Sequence, residues 1–372
     1  MSALVEAGPG LANSGQFHEW RRFLLGVLLV VSPIVICVAG LEYLAWHIGE
    51  TVPMSTIAQW QSDGPDRMWR GGDGRSYLTY KVARVRVLKP EVIVLGASRA
   101  TAFRSGPFLP YSFYNAGITA WTFDQYRRFL ELTVSDDYAP KVLIFSFDYW
   151  MFSPTFEQYW VNRFYEKPPS HLEAYKLVVD QLWKTPRVLI ARLQFTGQLR
   201  GLYAMLSGDG FRADGSLFEH PHSADPERLL NDGTGVGVPP VELGDRMADE
   251  QIKGFERFVD FAKSKGIALI GIQVPYYKRI LDGMNSDPRA GVWKEFRSEQ
   301  RRLYFESKGM VFFDFSDMPE YRADPGHFID SLHPDLLVIR TIVSTVMADE
   351  RVRSLLPNVI AGRIELGDAS TN

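Results

Sequence analysis

The sequence predicts an α/β protein: a three-layer α/β/α sandwich around a parallel sheet, preceded by one N-terminal transmembrane helix. Three observations carry this expectation. First, residues 92–95 (VIVL), 143–147 (LIFSF) and 267–274 (IALIGIQV) are continuous apolar runs. Strands buried on both faces read this way, as parallel strands do. Second, helical patterns lie between these runs, and alternating strand and helix builds a parallel sheet with helices on both faces. Third, the 19 residues 23–41 (FLLGVLLVVSPIVICVAGL) carry no charge, and about 20 apolar residues span a hydrocarbon core.

The apolar run comes first along the chain. Ser32 and Pro33 sit mid-span, which a membrane helix tolerates. A buried core helix would show a polar stripe, and a cleaved signal peptide would have a shorter apolar region and a small-residue cleavage site. Here Glu42 and the aromatic Tyr43 and Trp46 follow, as in an interfacial anchor. Arg21 and Arg22 precede the span, and no Lys or Arg follows it until Arg67. Positive flanks stay in the cytoplasm. The expected layout is a cytoplasmic segment 1–22, an anchor 23–48 in the bilayer and a linker or membrane-proximal segment 49–89. Beyond them lie a domain 90–362 outside the membrane and a tail 363–372. In a bacterium this is an inner-membrane protein with a periplasmic or extracellular domain.

Within the domain, residues 113–115 and 311–313 are two further short strand candidates. Helices are expected over 121–134, 249–265, 297–308 and 334–347. The second places Ile252, Phe255, Phe258, Val259 and Ala262 on one face and ends at Gly266, a C-capping residue. The last has Pro334 in its first turn. Residues 150–245 break the rhythm. They hold one helical region, 172–206, then a Gly/Asp/Pro-rich tract, 207–240. This stretch reads as an insertion that caps or lines a site.

Lys and Arg total 41 against 44 Asp and Glu, a net charge of −3, without the basic footprint of a nucleic-acid binder. A single cysteine, Cys37, excludes an intramolecular disulfide framework and a cysteine-rich zinc site. No cofactor motif and no metal set is read. His220, His222 and Asp225 have metal-ligating types, but their Pro-containing tract reads as a solvated loop.

Chemistry gathers at two places. Gly96-Ala97-Ser98-Arg99 follows the first strand. Ser98 is either an N-cap or a nucleophile at the edge where open α/β sheets bind ligands. In the latter case Gly96 permits a close turn, and the following helix N-terminus stabilises an oxyanion. Asp330-Ser331-Leu332-His333-Pro334 stands before the last helix. Asp330 either caps that helix or holds one imidazole nitrogen of His333 while the other faces a nucleophile.

The combination of Gly-x-Ser after the first strand with Asp-x-x-His-Pro before the last helix resembles the SGNH (GDSL-like) hydrolase superfamily. Tyr114-Asn115-Ala116-Gly117 looks like that family's second motif. The third departs: Gly-x-Asn-Asp is replaced by Ser146-Phe147-Asp148-Tyr149, and a carboxylate donates no hydrogen bond. Membrane-tethered members, similar to alginate O-acetyltransferases and D-alanine-transfer proteins, often lack this third block. The resemblance implies an SGNH/flavodoxin-like fold and a triad of Ser98, His333 and Asp330. It implies oxyanion donors at the Ser98 and Gly117 N–H groups, with Asn115 helping. It implies an O-acyltransferase or esterase acting on a cell-surface polysaccharide, with a multi-pass O-acyltransferase partner supplying the acyl group. A plain carboxylesterase and a non-catalytic assembly factor stay open. Candidate substrate contacts are Arg99 (or a residue solvating the helix start), Asp148, His327 (or a loop histidine) and Tyr276. Trp121, Tyr149-Trp150 and Tyr159-Trp160 read as a sugar-stacking wall or as core.

Overall fold

A computed structural model describes residues 14–156, 164–219, 244–321 and 323–359. Helix α1, Ser14–Ile48, contains the uncharged run, with Pro33 inside it. It is long and apolar enough to cross a membrane, and its apolar stretch is not buried by the rest of the protein.

The main sheet has five strands: β1 Val92–Gly96, β2 Phe113–Gly117, β3 Val142–Ser146, β4 Ala268–Gln273 and β5 Val311–Asp314. Their order is β2-β1-β3-β4-β5, and every pair is parallel. Side chains alternate across a strand, and here they feed two separate cores. Ile93, Leu95, Leu143, Phe145 and Leu269 face one side. Helices α2 (Tyr77–Leu88), α3 (Phe123–Thr133) and α4 (Asp249–Ser264) cover that side, contributing Val85, Phe129 and Phe258 among others. Val92, Val94, Ile144, Ile270 and Ile272 face the other, where α5 (Leu336–Ala348) buries Ile339, Ile342 and Val343. The apolar runs are continuous because both faces are dry.

Local signals fix the helix ends. Thr122 accepts from the Gln125 N–H while Gln125 reciprocates, a capping box that starts α3. Helix α5 begins later than Pro334: Asp335 caps it, accepting from the Val338 N–H at 2.9 Å. The expected helix over 172–206 is three helices, His171–Lys184, Pro186–Arg192 and Leu202–Ser207, with Pro186 opening the second.

The largest correction concerns residues 49–89, expected as a linker or membrane-proximal segment. They are built into the domain. Leu78, Val82 and Val85 of α2 lie in the same core as α3. Met68–Trp69 joins Leu199–Arg200, Gly210–Phe211 and Leu217–Phe218 in a second, four-stranded sheet. The buried Lys81 ammonium donates to the carbonyls of Asn115 (2.8 Å) and Gly215. Gly215 sits at φ +82°, and a Cβ there would lie 2.1 Å from the Asn115 carbonyl oxygen. The domain therefore begins upstream of residue 90, and the inserted tract is pinned to the edge strand β2.

Candidate active site

Ser98 leaves the C-terminal end of β1. The chain passes from β1 to β2 on one side and then to β3 on the other, and open α/β sheets bind ligands outside the strand ends at such a reversal. Gly96 permits the turn: a Cβ there would lie 2.8 Å from the Ser146 Cβ. No α-helix follows directly. Ser98–Ala100 is a single 3-10 turn, so the macrodipole of a long helix is absent behind Ser98. The cap position belongs to Ala97. The Ser98 hydroxyl instead lies 2.7 Å from His333 Nε2.

The opposite partner is built by its own turn. Asp330 Oδ1 accepts from the backbone N–H groups of Leu332 (2.7 Å) and His333 (2.8 Å). Short-range Asp-to-backbone bonding of this kind nucleates turns. Ile329 N–H closes the loop on the His333 carbonyl at 2.8 Å. The same carboxylate meets His333 Nδ1, with Oδ2 at 2.8 Å and Oδ1 at 2.9 Å. A carboxylate only accepts, so Nδ1 carries the proton and Nε2 accepts from Ser98 Oγ. Burial raises the Asp330 carboxyl, but His333 and the Leu332 and His333 N–H groups outweigh it. The net position is below the ordinary carboxylate value.

Ser98, Asp330 and His333 open onto a cavity of about 210 Å³. Ile118, Arg70, Leu217 and Glu219 also line it. Ile118 is a β-branched residue held at φ +66°, a conformation that costs about 1–3 kcal/mol and gathers at functional sites. The loop is over-determined there: Ile118 N–H donates to the Ala97 carbonyl and Thr119 N–H to the Gly96 carbonyl.

Two expected oxyanion donors are corrected. The Gly117 N–H donates to Asn115 Oδ1 at 2.7 Å. Both hydrogens of the buried Asn115 amide go to the carbonyls of Ala100 and Phe103, each at 2.8 Å. Asn115 stitches β2 to the turn after Ser98 and has no donor left for a ligand. The Ser98 N–H stands at the first position of a 3-10 turn, where no acceptor exists within the turn.

Arg99, expected as a substrate contact, is among the residues that line the cavity, although most of its side chain is buried. It forms an ion pair, Nη1 to Oδ1 at 2.5 Å, with the buried Asp148, which was expected as a contact but does not line the cavity. Arg99 Nη2 donates to the Val274 and Pro275 carbonyls, and Nε to the Leu332 carbonyl at 3.1 Å. Asp148 also accepts from Ser146 Oγ (2.8 Å) and Gln273 Nε2 (3.2 Å). Burial pushes its carboxyl above the ordinary value, against the pull of Arg99 and these donors. The pair joins the ends of β1, β3 and β4 to the turn that carries His333. Tyr276 is likewise core, its ring 4.1 Å from the Arg99 guanidinium. His327 is not among the cavity residues; it faces Asp335 at 3.3 Å and Asp324 at 3.7 Å. Tyr149 and Trp150 are buried, and Trp121 packs half-buried on the core. Tyr159, Trp160, His220, His222 and Asp225 lie outside the described residues. Among the described residues, no group of three His, Cys, Asp or Glu is placed to hold a metal ion.

Sequence reading missed Arg70, Ile118, Leu217 and Glu219. Arg70 Nη1 donates to Glu219 Oε1 at 3.0 Å and Nε to the Tyr77 hydroxyl at 3.1 Å. Its guanidinium stacks 4.0 Å from the Tyr203 ring. The tract holding Leu217 and Glu219 carried only turn signals, and Arg70 only the Gly71-Gly72 that follows it. Compared with protein-family models, with curated proteins and with solved structures, the chain matches none.

Proposed function

We propose that this protein is a membrane-tethered, serine-dependent acyl-ester enzyme. In this reading it is an O-acyltransferase or esterase that acts outside the cell membrane on a polysaccharide. The observation that carries the reading is the unbroken path from Asp330 through His333 to the Ser98 hydroxyl at one rim of a cavity. Those contacts join residues 235 positions apart, and a cap or a core histidine does not require them.

The chemistry follows from the donors and acceptors. Ser98 Oγ attacks an ester carbonyl as His333 Nε2 takes its proton, and Asp330 stabilises the imidazolium. The Oγ–acyl bond forms, the alkoxide leaves, and His333 returns the proton to it. A sugar hydroxyl or water then gives its proton to His333 and accepts the acyl group, restoring Ser98. The Ser98 N–H is the one donor of the expected oxyanion set still placed for this role. Losing a single such donor costs about 3–4 kcal/mol, so a slow enzyme is expected.

The strand order supports a doubly wound, flavodoxin-like sheet, and the two helix-covered faces support a three-layer sandwich. The resemblance to membrane-tethered SGNH proteins supports a polysaccharide acceptor and a multi-pass acyltransferase partner. Arg21 and Arg22 before the apolar run support a cytoplasmic N-terminus in a bacterial inner membrane and a periplasmic domain. A second reading, a non-catalytic assembly factor, is favoured by the engaged Gly117 and Asn115 donors.

The test is acyl release from an aryl acetate by the full-length protein in detergent, with and without an oligosaccharide acceptor. Activity lost in Ser98→Ala supports an enzyme, and acceptor-dependent product identifies the transferase. A rate equal in wild type and Ser98→Ala overturns the enzymatic reading.

A further inference from the structure

Helix His171–Lys184 has two apolar sides. Ala174 and Val178 are buried, and Val178 packs in a small core with Ala45, Ile48 and Leu189. At about 100° per residue, Leu172, Val179 and Trp183 share a narrow stripe on the opposite side. That stripe is uncovered: Leu172 is 68% exposed and Trp183 89%. The next helix, Pro186–Arg192, exposes Val188 and Ile190 on either side of the buried Leu189. Trp is ordinarily well buried, and several large apolar side chains exposed on one helix face mark an interaction surface.

The position of the patch says what covers it. The segment is tied to α1 at two points. Tyr175 donates its hydroxyl hydrogen to the Glu42 carboxylate, and Thr196 Oγ1 lies 3.2 Å from His47 Nε2. Glu42 is the first charged residue after the uncharged run that ends at Leu41. Glu42 and His47 are five positions apart, about 8 Å along the helix at ~1.5 Å per residue. The two helices are thus held at the level where a spanning α1 would leave the hydrocarbon. Exposed Tyr43 and Trp46 on α1 share that level, as in the aromatic belts of membrane proteins. Charge agrees. Lys176, Lys184, Arg187 and Arg192 stand against Glu173 and Asp180 over this segment, and basic side chains around an apolar face favour anionic headgroups.

We infer that residues 171–195 lie in the bilayer interface, with Leu172, Val179 and Trp183 inserted among the lipids. The chain then meets the membrane twice, through α1 and through this monotopic helix pair, which fixes the height and tilt of the domain. The inference rests on α1 spanning the membrane.

The experiment separates the two claims. Full-length protein with Cys37→Ser, carrying Trp183→Cys, Val30→Cys or Leu303→Cys, is spin-labelled and reconstituted in phosphatidylethanolamine–phosphatidylglycerol vesicles. Collision with oxygen, which concentrates in lipid, is compared with collision with a water-soluble nickel chelate. We expect the Val30 label to favour oxygen most and the Leu303 label, on helix Glu299–Ser307, to favour nickel. The Trp183 label should lie between them, with an oxygen-to-nickel ratio several-fold above that at Leu303. A Trp183 label as open to nickel as Leu303, with Val30 in lipid, overturns the inference and leaves the anchor intact. A Trp183 label shielded from both quenchers overturns it in favour of a protein partner. A nickel-accessible Val30 label overturns the anchor and the inference together.

Discussion

The cavity has two walls of different origin. One comes from the parallel sheet: Ser98 after β1, Ile118 after β2, and the Asp330–His333 turn before α5. The other comes from short strands and turns of segments 68–77 and 199–219, which place Arg70, Leu217 and Glu219. In the first wall, polar groups are bonded in a directed chain that ends on the Ser98 hydroxyl. In the second, the Arg70 guanidinium is paired with the Glu219 carboxylate. Under the proposed function this amounts to a division of labour, in which the sheet wall would hold the reacting atoms and the grafted wall would shape what reaches them. It also links the cavity to α1, because Leu199 and Leu202 share a core with Ala45 and Ile48.

The sharpest break is Ser98→Ala, which lowers ester turnover about 10⁴-fold or more, read with an aryl acetate. Next is Asp330→Asn. The new amide oxygen still accepts the Leu332 and His333 N–H groups, but His333 loses the carboxylate that sets its tautomer. Turnover falls about 10⁴-fold, with the thermal unfolding midpoint little changed. At the buried ion pair, Arg99→Met leaves Asp148 without its cation and costs about 3–5 kcal/mol of stability in urea unfolding. Pairing it with Asp148→Leu recovers much of that loss, because the orphaned charge is then gone. On the grafted wall, Arg70→Gln raises KM about tenfold, the size of a hydrogen bond to a charged group, while kcat holds. If kcat fell as far as KM rose, the division of labour would be wrong.

The smallest effect is a pH slope. Glu50 joins the grafted wall to α1: its Oε1 accepts from Gly72 N–H at 2.9 Å and also from Leu202 N–H. Burial raises its carboxyl above the ordinary value, against those two donors. Its contribution to stability is therefore full below the ordinary value of about 4.3 and is lost as pH rises through the folded value. Glu50→Gln keeps the acceptor oxygen and flattens that slope in thermal melts. Asp330 has the opposite sign. Its carboxyl is lowered, so its contribution is present above about 3.9 and lost as pH falls through the folded value.

The sheet wall was largely legible in the sequence. Strands 92–96, 142–146 and 268–273 announce themselves because both faces are apolar, and a serine and a histidine at strand and helix ends stand out against them. The grafted wall was not. Two-residue strands such as Met68–Trp69 and Gly210–Phe211 have no periodicity to read. Their pairing is decided by long-range contacts, including a core lysine and a glycine against Asn115. Asp148 was misread for a related reason. A charged side chain reads as exposed until its partner, 49 positions away, is known. Gly117 and Asn115 show the limit of motif reading: the residues lie beside the site, yet their donors satisfy the backbone instead.

The reactivity of the Ser98 hydroxyl can be read chemically. Purified full-length protein is treated with a fluorophosphonate, which phosphorylates an activated serine with loss of fluoride, and the adduct is located by peptide mass mapping. The account predicts a single modified hydroxyl, that of Ser98, and no modification in His333→Ala. An unmodified Ser98 in the wild type, or labelling undiminished without His333, contradicts it.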